Sequence, residues 1–588
     1  MKKRLVSLAA VVLSLSLLLA ACETGSSAPT QAPDTGSPAT SLPSGEDASA
    51  ADPKVLLSWT TDRQTFSPHM YTSGPSIAIY GSWVALMVSM DGTETLEFKP
   101  HHASELPSSE DGLTWTVKIR DDLTWDDGKK LDANDYYYSM QQLLNPKLAN
   151  KNAAYMFDPC KVLNAAEYYA GECEWDEVGV KLIDDNTLEI TLEFAATELD
   201  FWTSLGGKIW PVHQEIYEKN MNADETSTSY GTSFETTPSC GMFLLKEWIS
   251  GGHETYVRND NDPLVKEGYI LIDEYNLRYI SENSTREEMF LKGELDQHSL
   301  TGATYNQYKN DPRAHATLSS SVWGLFVNGA SKNEIMRDKD FRQALYYAAP
   351  RDEVAEEVYV LYLSAPFIVS TAIMVGDPLV STEYYRDTDA AKALMETYHN
   401  DDELAVELFN KAYEANGSKK ISVEITYFDQ QEQMKRTAEV MQEKCENLFG
   451  SDKIEFTLRA QIPQAAYDDY RNGEYDLGTG VRLANVFNPW ASMNVWTSDY
   501  ADKYETGFAS EEFDELYHKT VFGEYMHDAD NRVKSLARME ELLLEYVAFI
   551  PLMQNNNTVM YAERVELPSE SYLPFVGYGF SQSDLIPQ

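Results

Sequence analysis

The chain has 588 residues, with 94 acidic and 47 basic side chains and a formal net charge of −47 at pH 7. Such an excess of carboxylates argues against nucleic-acid binding, which needs clustered Lys and Arg to neutralise phosphates. The hydrophobic content of 43% is that of a globular protein, and the length predicts three or four domain-sized units or one large protein of two lobes.

The first 21 residues are typical of a secretory signal peptide. A positively charged start at positions 2–4 precedes a short apolar run that ends Leu19-Ala20-Ala21-Cys22. These last four residues resemble a bacterial lipobox, in which the cysteine is lipidated and becomes the mature N-terminus. The alternative is an ordinary signal peptide with a chance cysteine.

Residues 22–53 predict a flexible tether, because Ser, Thr, Pro, Gly, Ala and Asp dominate and almost nothing can be buried. Diacyl chains on Cys22 would anchor the tether firmly, whereas a single chain binds a membrane only marginally. No later apolar run approaches the length of a spanning helix. The sequence therefore predicts contact with the membrane only through the lipid.

The next region predicts a strand over 55–59, a helix over 77–90, and then a strand–turn–helix unit within 104–140. Apolar and polar residues alternate from Leu113 to Ile119, which indicates a strand with one buried face. An Asp-Asp-Gly turn follows, and Asp132 is placed to cap a helix.

The region up to residue 322 predicts mainly β structure. The alternation of apolar residues indicates a hairpin over 178–194, a strand pair at 240–248 and 253–259, and a strand over 271–280. A capping-box sequence at residues 284–287 predicts the start of a helix.

From residue 322 onward strands and helices alternate, which predicts a βαβ lobe. The predicted strands cover residues 322–328, 421–428, 454–460, 475–479, 548–553 and 558–565. The predicted helices cover residues 341–349, 390–416, 430–449, 465–471, 511–521 and 531–546, with a further helix beginning at Pro350.

The cysteines offer a possible disulfide but no zinc site. Cys160 and Cys173 lie close in sequence and could pair in an oxidising compartment. Such a bridge would contribute on the order of 3 kcal/mol in the chain-entropy model. Cys240 and Cys445 are expected to be buried thiols, and no CxxC spacing is present.

Sequence motifs for catalysis are absent. The chain contains no phosphate-binding loop, dinucleotide fingerprint, zinc-protease helix or nucleophile elbow. Acidic pairs are frequent, as expected by chance among 94 carboxylates, and none is selected as a catalytic pair. His101 and His102 could in principle bind a metal ion together. Adjacent side chains on a strand point to opposite faces, however, so one ion could hardly contact both. We therefore predict that the two histidines lie in a solvated loop. We predict no enzymatic activity, cofactor or metal, with a hydrolase as the alternative.

Several ordered sequence blocks resemble a known family, the extracytoplasmic solute-binding proteins of the oligopeptide, dipeptide and nickel class (family 5), which serve ABC importers. The similarity covers about residues 55–588. The blocks that carry it are residues 104–140, Gly241–Trp248, Leu291–Asp296 and Phe341–Leu345.

The resemblance implies an α/β fold of the two-lobed, large type II periplasmic-binding-protein class, with an extra subdomain on lobe I. Ligand would bridge the lobes and favour their closed arrangement. The implied boundaries are 54–98, 236–322 and 551–588 for lobe I, 99–235 for the extra subdomain, and 323–550 for lobe II.

The resemblance also implies a ligand site around residues 475–489. Asn485 stands where peptide binders usually carry an Asp that pairs with the peptide ammonium, so about 1–2 kcal/mol of that preference would be lost. Arg482 stands where Trp is frequent, and it either meets a ligand carboxylate or forms a surface ion pair. Cys240 replaces a usual Asn, which removes a polar ligand contact.

The resemblance implies that six further residues lie near the ligand: Val481, Leu483, Asp62, Arg63, Gln64 and Trp490. Of these, Trp490 either lines the pocket or fills lobe II.

The implied function is capture of extracellular oligopeptides and their delivery to an ABC permease whose ATPase subunits supply the energy. The protein is expected as a monomer on the outer face of the bacterial cytoplasmic membrane, anchored through Cys22. The alternatives are transport of an oligosaccharide, a cyclic or modified peptide or a metal chelate, and a receptor that senses peptides.

Overall fold

The computed structural model describes residues 52–70, 79–157, 160–376, 383–500 and 503–586. The predicted signal peptide, Cys22 and nearly all of the predicted tether lie outside the described residues. Within those ranges, no helix has both the length and the apolar character needed to cross a membrane.

The described residues form eighteen strands, numbered here in chain order. They are β1 Val55–Thr60, β2 Val84–Val88, β3 Leu96–Pro100, β4 Thr114–Lys118, β5 Val180–Asp184, β6 Thr187–Thr191, β7 Phe243–Ile249, β8 His253–Arg258, β9 Glu274–Tyr279, β10 Gln297–Ser299, β11 Ala314–Val327, β12 Leu363–Ser364, β13 Ile421–Phe428, β14 Ile454–Gln461, β15 Leu477–Arg482, β16 Phe549–Tyr561, β17 Val565–Glu566 and β18 Asp584–Leu585.

The same part of the chain contains fourteen α-helices. They are α1 Ala133–Leu143, α2 Ala165–Tyr169, α3 Glu198–Phe201, α4 Gln214–Lys219, α5 Pro263–Lys266, α6 Asn283–Leu291, α7 Gly302–Tyr308, α8 Lys339–Tyr347, α9 Asp389–Thr397, α10 Asp402–Ala415, α11 Glu432–Phe449, α12 Pro463–Asn472, α13 Glu511–Val521 and α14 Ala529–Tyr546.

Two main sheets organise the described chain. The first has the order β1-β9-β8-β7, with β1 parallel to β9 and the other pairs antiparallel. The second has seven strands in the order β10-β16-β11-β15-β13-β14, with β12 also paired to β16. Smaller sheets join β4, β5 and β6, and β2 with β3.

Two large hydrophobic cores accompany these sheets. One takes most of its side chains from the stretch between Leu56 and Leu277. The other runs from Val322 to Met553 and contains the inner faces of the helices that pack on the seven-stranded sheet. Only the later part of β11 and the earlier part of β16 belong to the second core, whereas Ala314 and Met560 at their other ends belong to a third, smaller cluster.

The strand–turn–helix unit within 104–140 is confirmed. Trp115 on β4 is buried and stacks on Phe201, with ring centroids 4.1 Å apart. Asp132 caps α1 through the backbone N–H of Asn134, and the Asp135 carboxylate accepts from the backbone N–H of Asp132. This reciprocal cap starts the helix where the sequence predicts it.

Three local predictions are wrong. The described part of 77–90 contains no α-helix, and β2 lies there because β3 supplies its antiparallel partner. Residues 390–416 form two helices, since Asp401 accepts from the N–H of Leu404 and caps α10 separately. Strands predicted at 548–553 and 558–565 are largely one, β16, because β11 pairs with it along most of its length.

The predicted capping box at 284–287 is also wrong. Helix α6 begins at Asn283, and its N-cap residue Glu282 makes no side-chain capping bond. The helix itself is present, with Arg286 and Phe290 on its buried side.

The possible disulfide between Cys160 and Cys173 is not formed. No disulfide joins Cys160, Cys173, Cys240 or Cys445 within the described residues. The Cys173 thiol lies 3.7 Å from the carbonyl oxygen of Asn164, to which it donates, whereas Cys160 is buried in the first core. The two cysteines therefore act as separate packing residues.

A buried charge on α14 fastens the loop before α9 to the second core. Glu540 is fully buried, and its carboxylate accepts from the N–H groups of Ile368 and Val369, both at 2.9 Å. It also accepts from the Tyr385 hydroxyl at 3.0 Å and pairs with the Arg386 guanidinium. All these donors lose a charged acceptor if the carboxylate is removed.

We expect Glu540→Ala to lower the free energy of unfolding by about 3–5 kcal/mol, because it leaves the Arg386 charge buried without its partner. The matched control is Glu541→Ala, since Glu541 pairs with Arg538 at 2.6 Å on the surface of the same helix. A surface pair contributes about 0–1 kcal/mol. Guanidinium unfolding followed by tryptophan fluorescence measures both, and equal losses would contradict the prediction.

Candidate ligand-binding site

The chain that leaves β15 crosses from the second core to the first. Phe487 is buried in the first core, with its ring centroid 6.1 Å from Phe98 and 5.0 Å from Phe575. The next residue, Asn488, donates its side-chain N–H to the Asp200 carboxylate at 2.6 Å. The end of β15 therefore lies at the junction of the two halves, where a ligand can touch both.

Two glycines shape the face of β15 that leads to this junction. A Cβ at Gly480 would lie 2.3 Å from the Phe326 ring, and one at Gly478 would lie 2.3 Å from the Tyr470 ring. Both distances are far below van der Waals contact, so only glycine lets these rings lie against the strand. Arg482 follows on the same face, because side chains alternate along a strand.

Arg482 enters a group of aromatic rings rather than an ion pair. Its guanidinium carbon lies 4.3 Å from the ring centroids of Phe326 and Trp496, and 5.1 Å from that of Tyr504. Burial lowers the pKa of the guanidinium to about 10, which leaves it cationic at neutral pH. Its Nε is buried without an acceptor. No carboxylate of the described residues forms an ion pair with it, so the surface ion pair considered above is absent there.

Asn485 uses its side chain to build its own loop. Its amide oxygen accepts from the N–H of Phe487 at 3.0 Å and from that of Asn488 at 3.2 Å, and its backbone N–H donates to Ser492. This is an Asx turn. The acceptor that the sequence offered to a ligand ammonium is therefore engaged by the backbone.

The other predicted residues of this segment differ in exposure. Leu483 is 45% exposed and Val481 is half-buried, so both lie at the edge of the second core. Trp490 is buried, its indole N–H donates to the carbonyl of Arg532 at 2.7 Å, and the Arg532 guanidinium carbon lies 3.8 Å from its ring. Trp490 therefore fills the second core and is not a pocket wall.

In the first half, Asp62 and Gln64 are exposed, whereas Arg63 is mostly buried. Asp62 accepts from the N–H of Gly251 at 2.9 Å, in the turn between β7 and β8. Arg63 is buried and pairs with Glu254 at 3.0 Å. Expectation and structure differ at Arg63 because Glu254 comes from a strand that is distant in sequence.

Cys240 and the adjacent histidines are interior groups. Cys240 is buried in the first core, and burial raises the pKa of its thiol well above the usual value. Its burial agrees with the expectation of a buried thiol, and its place near a ligand stays a prediction. His101 and His102 are also buried rather than solvated, because both backbone N–H groups bond to the chain before β2.

Three buried groups lie close enough together to be considered for a metal: His101, His102 and Asp262, whose ligand atoms lie within 4.8 Å of one another. Protein atoms already engage them. His101 Nε2 lies 2.7 Å from the Asp262 carboxylate, and His102 Nε2 lies 3.1 Å from the carbonyl of Cys240. Burial lowers the pKa of His102 to about 3. The arrangement is an internal hydrogen-bond network.

Sequence reasoning missed the aromatic group around Arg482 and the Asn488–Asp200 bond. Tyr504, Trp496 and Phe326 come from three separate segments, and no local pattern relates them. The same holds for Asp200 and Asn488, which are 288 positions apart.

Residues 97–504, more than half of the chain, match the family model described as "Bacterial extracellular solute-binding proteins, family 5 Middle". The chain belongs to this family. Family 5 proteins bind solutes for transport and are not enzymes, and the family description places them outside the cell.

Curated relatives cover most of the chain at low identity. The dipeptide-binding protein DppE of Bacillus subtilis is 23% identical over 499 residues, which are 82% of this chain and 84% of that protein. The oligopeptide-binding protein OppA of the same organism is 22% identical over 583 residues, which are 96% of this chain and 97% of that protein.

Solved structures share the fold. An unliganded, open form of the murein tripeptide-binding protein MppA has a TM-score of 0.71 at 17% identity, covering 91% of this chain and 98% of that one. The substrate-binding domain of an oligopeptide ABC transporter from Bacillus anthracis has a TM-score of 0.64 at 22% identity, covering 91% and 99%. The two-lobed α/β fold of the type II class is thereby confirmed, and the extra subdomain stays a prediction.

The Asn488–Asp200 contact predicts a pH-dependent effect. Burial raises the pKa of Asp200, because a charged carboxylate is unfavourable there. The folded protein therefore holds the Asp200 proton more tightly than the unfolded chain does. This adds to the free energy of unfolding at low pH, and the gain is lost as the pH rises through the folded-state pKa. Asp200→Asn keeps the acceptor for Asn488 and removes the charge. We expect the melting temperature of the variant, relative to the unchanged protein, to be higher at pH 8 than at pH 4.

Thermal unfolding followed by circular dichroism at both pH values measures this difference. Asp224→Asn is the matched control, because Asp224 is an exposed carboxylate in the loop after α4. A variant whose relative melting temperature does not change with pH would contradict the assignment.

Proposed function

We propose that this family 5 protein is a lipid-anchored substrate-binding protein that captures extracellular oligopeptides between its two lobes and delivers them to an ABC permease. The ATPase subunits of that permease supply the energy, since the chain has no phosphate-binding loop. The names of its relatives, which are dipeptide- and oligopeptide-binding proteins, support the proposal.

The observation that carries the peptide assignment is the open edge of β15. On one side, β11 pairs with β15 along its whole length, from Leu477 to Arg482. On the other side, β13 pairs only with Leu477 and Gly478. Beyond Gly478, no strand of the described residues covers this edge. An extended peptide can add there as a further strand, with main-chain hydrogen bonds that do not depend on its sequence.

The lobe boundaries are part of the proposal. Lobe I comprises 54–98, 236–322 and 551–588, the extra subdomain 99–235, and lobe II 323–550. The division of the two hydrophobic cores near Val322 and Met553 supports these limits. β11 and β16 then serve as the hinge, and a ligand that contacts both lobes shifts the population toward the closed arrangement.

The test is the identity of the material that the protein retains. We expect the purified full-length protein, denatured and analysed by mass spectrometry, to release a mixture of short peptides of varied sequence. A single sugar or a metal chelate would contradict the peptide assignment. Long incubation with the recovered peptides is the control, because they must be recovered intact from a binding protein.

Lipid anchoring is tested separately. We expect Cys22→Ser to move the protein from the membrane fraction to the soluble fraction, because the residue that carries the acyl chains is lost. The matched control is Cys173→Ser, which removes a free thiol far from the N-terminus and leaves the protein with the membrane. Intact mass spectrometry reads the modification directly. Unmodified Cys22 on membrane-bound protein would contradict the anchor.

A further inference from the structure

We propose that the Arg482 guanidinium is the docking point for a carboxylate of the ligand, so that this protein selects peptides that present a negative charge at the end of β15. The inference rests on the proposed peptide-binding function. The carboxylate is either the C-terminus of the peptide or an Asp or Glu side chain, and the two share the same recognition chemistry.

Other buried arginines of the described chain each make at least one side-chain hydrogen bond or ion pair, although Arg386 Nη1 and Arg532 Nε, like Arg482 Nε, are buried without an acceptor. Arg63 pairs with Glu254, and Arg386 pairs with Glu540. Arg351 donates to the carbonyls of Pro551 and Tyr346, both at 2.9 Å. Each of these guanidinium groups therefore has at least one acceptor within the described residues.

Arg482 is different. Within the described residues it makes no side-chain hydrogen bond and no ion pair, and its Nε is buried without an acceptor. The ionisable groups that act on it most strongly are tyrosines: Tyr504, Tyr467, Tyr475 and Tyr500. Neutral phenols do not balance its charge.

The aromatic rings explain how this cation is tolerated before a ligand arrives. Phe326, Trp496 and Tyr504 offer their π-systems to the guanidinium, an attraction that grows when the cation is desolvated. Rings do not accept the in-plane N–H donors. Those donors form a planar fork that matches a carboxylate, which binds through two parallel hydrogen bonds. A carboxylate is therefore the ligand group that completes the site.

The neighbouring residues favour an anion over a cation. The Asn485 oxygen, the acceptor nearest in sequence, is engaged by two backbone N–H groups. Arg482 itself repels an ammonium group. Its position supports contact with ligand, because Arg482 lies opposite Val322, where the second core begins, and Leu483 beside it is exposed.

The experiment uses pools of random pentapeptides in three forms: free acids, C-terminal amides, and free acids made without Asp and Glu. Ligand-stripped full-length protein is mixed with each pool, and the retained peptides are quantified by mass spectrometry and calorimetry. We expect loss of the docking carboxylate to weaken binding by about tenfold or more, as for a charge-assisted hydrogen bond. Loss in the amide pool identifies the C-terminus, and loss in the third pool identifies an acidic side chain.

Variants test whether Arg482 causes this preference. Arg482→Gln should reduce the affinity difference between the pools to nearly none, and Arg482→Lys should restore part of it because it keeps a cation. The matched control is Arg436→Gln, an exposed arginine on α11 that pairs with Glu439 and Glu443, which should leave the preference unchanged. The three pools are also compared on the unchanged protein. That comparison tests the carboxylate preference even if Arg482→Gln fails to fold.

The outcomes separate this inference from the proposed function. Equal binding of all three pools, or a preference that persists in a folded Arg482→Gln protein, overturns the role of Arg482 and leaves peptide capture intact. Failure of every pool to bind overturns both.

Discussion

The antiparallel pairing of β11 with β16 is the interaction on which the seven-stranded sheet depends. It runs from Ala314 opposite Met560 to Phe326 opposite Phe549, and its register shifts between Leu318 and Val322. An irregularity of this kind bends and twists a strand pair locally. The later part of β11 is buried in the second core, whereas its first part is only half-buried. The ladder, interrupted by register shifts, thus joins the second core to the smaller cluster that contains Met560.

The position of β15 in the sheet depends on its pairing with β11. β11 covers one edge of β15 completely, and within the described residues β13 covers only the first two residues of the opposite edge. Glycines at 478 and 480 bring the Tyr470 and Phe326 rings against the strand, and that close packing creates the aromatic surroundings of Arg482. The buried Glu540 carboxylate, by contrast, accepts from Ile368, Val369 and Tyr385 and pairs with Arg386. A guanidinium that makes neither a hydrogen bond nor an ion pair with the described residues is a local departure from such pairing, and departures of this kind concentrate at functional sites.

Local patterns predicted well those elements whose cause is local. The alternation around Trp115 and the Asp132 cap act within a few residues, and both are present. The predictions for 77–90 and for His101 failed because partners from other parts of the chain decide the outcome. β2 forms a strand because β3 pairs with it. His101 is buried with its ring nitrogen beside the Asp262 carboxylate. The possible disulfide failed in the same way, since closeness in sequence does not make Cys160 and Cys173 meet in space.

The sequence by itself determined the family and the alternation of strands and helices after residue 322, because ordered motifs and hydrophobic periodicity are properties of the chain. It also singled out Arg482 and Asn485 as unusual for that family. Only the tertiary structure decided what these residues do. It turned the Asn485 oxygen toward its own backbone, paired Arg63 with Glu254, and left Arg482 among rings without an acceptor. The availability of a polar group depends on which distant groups fold against it, and the neighbouring sequence does not record that.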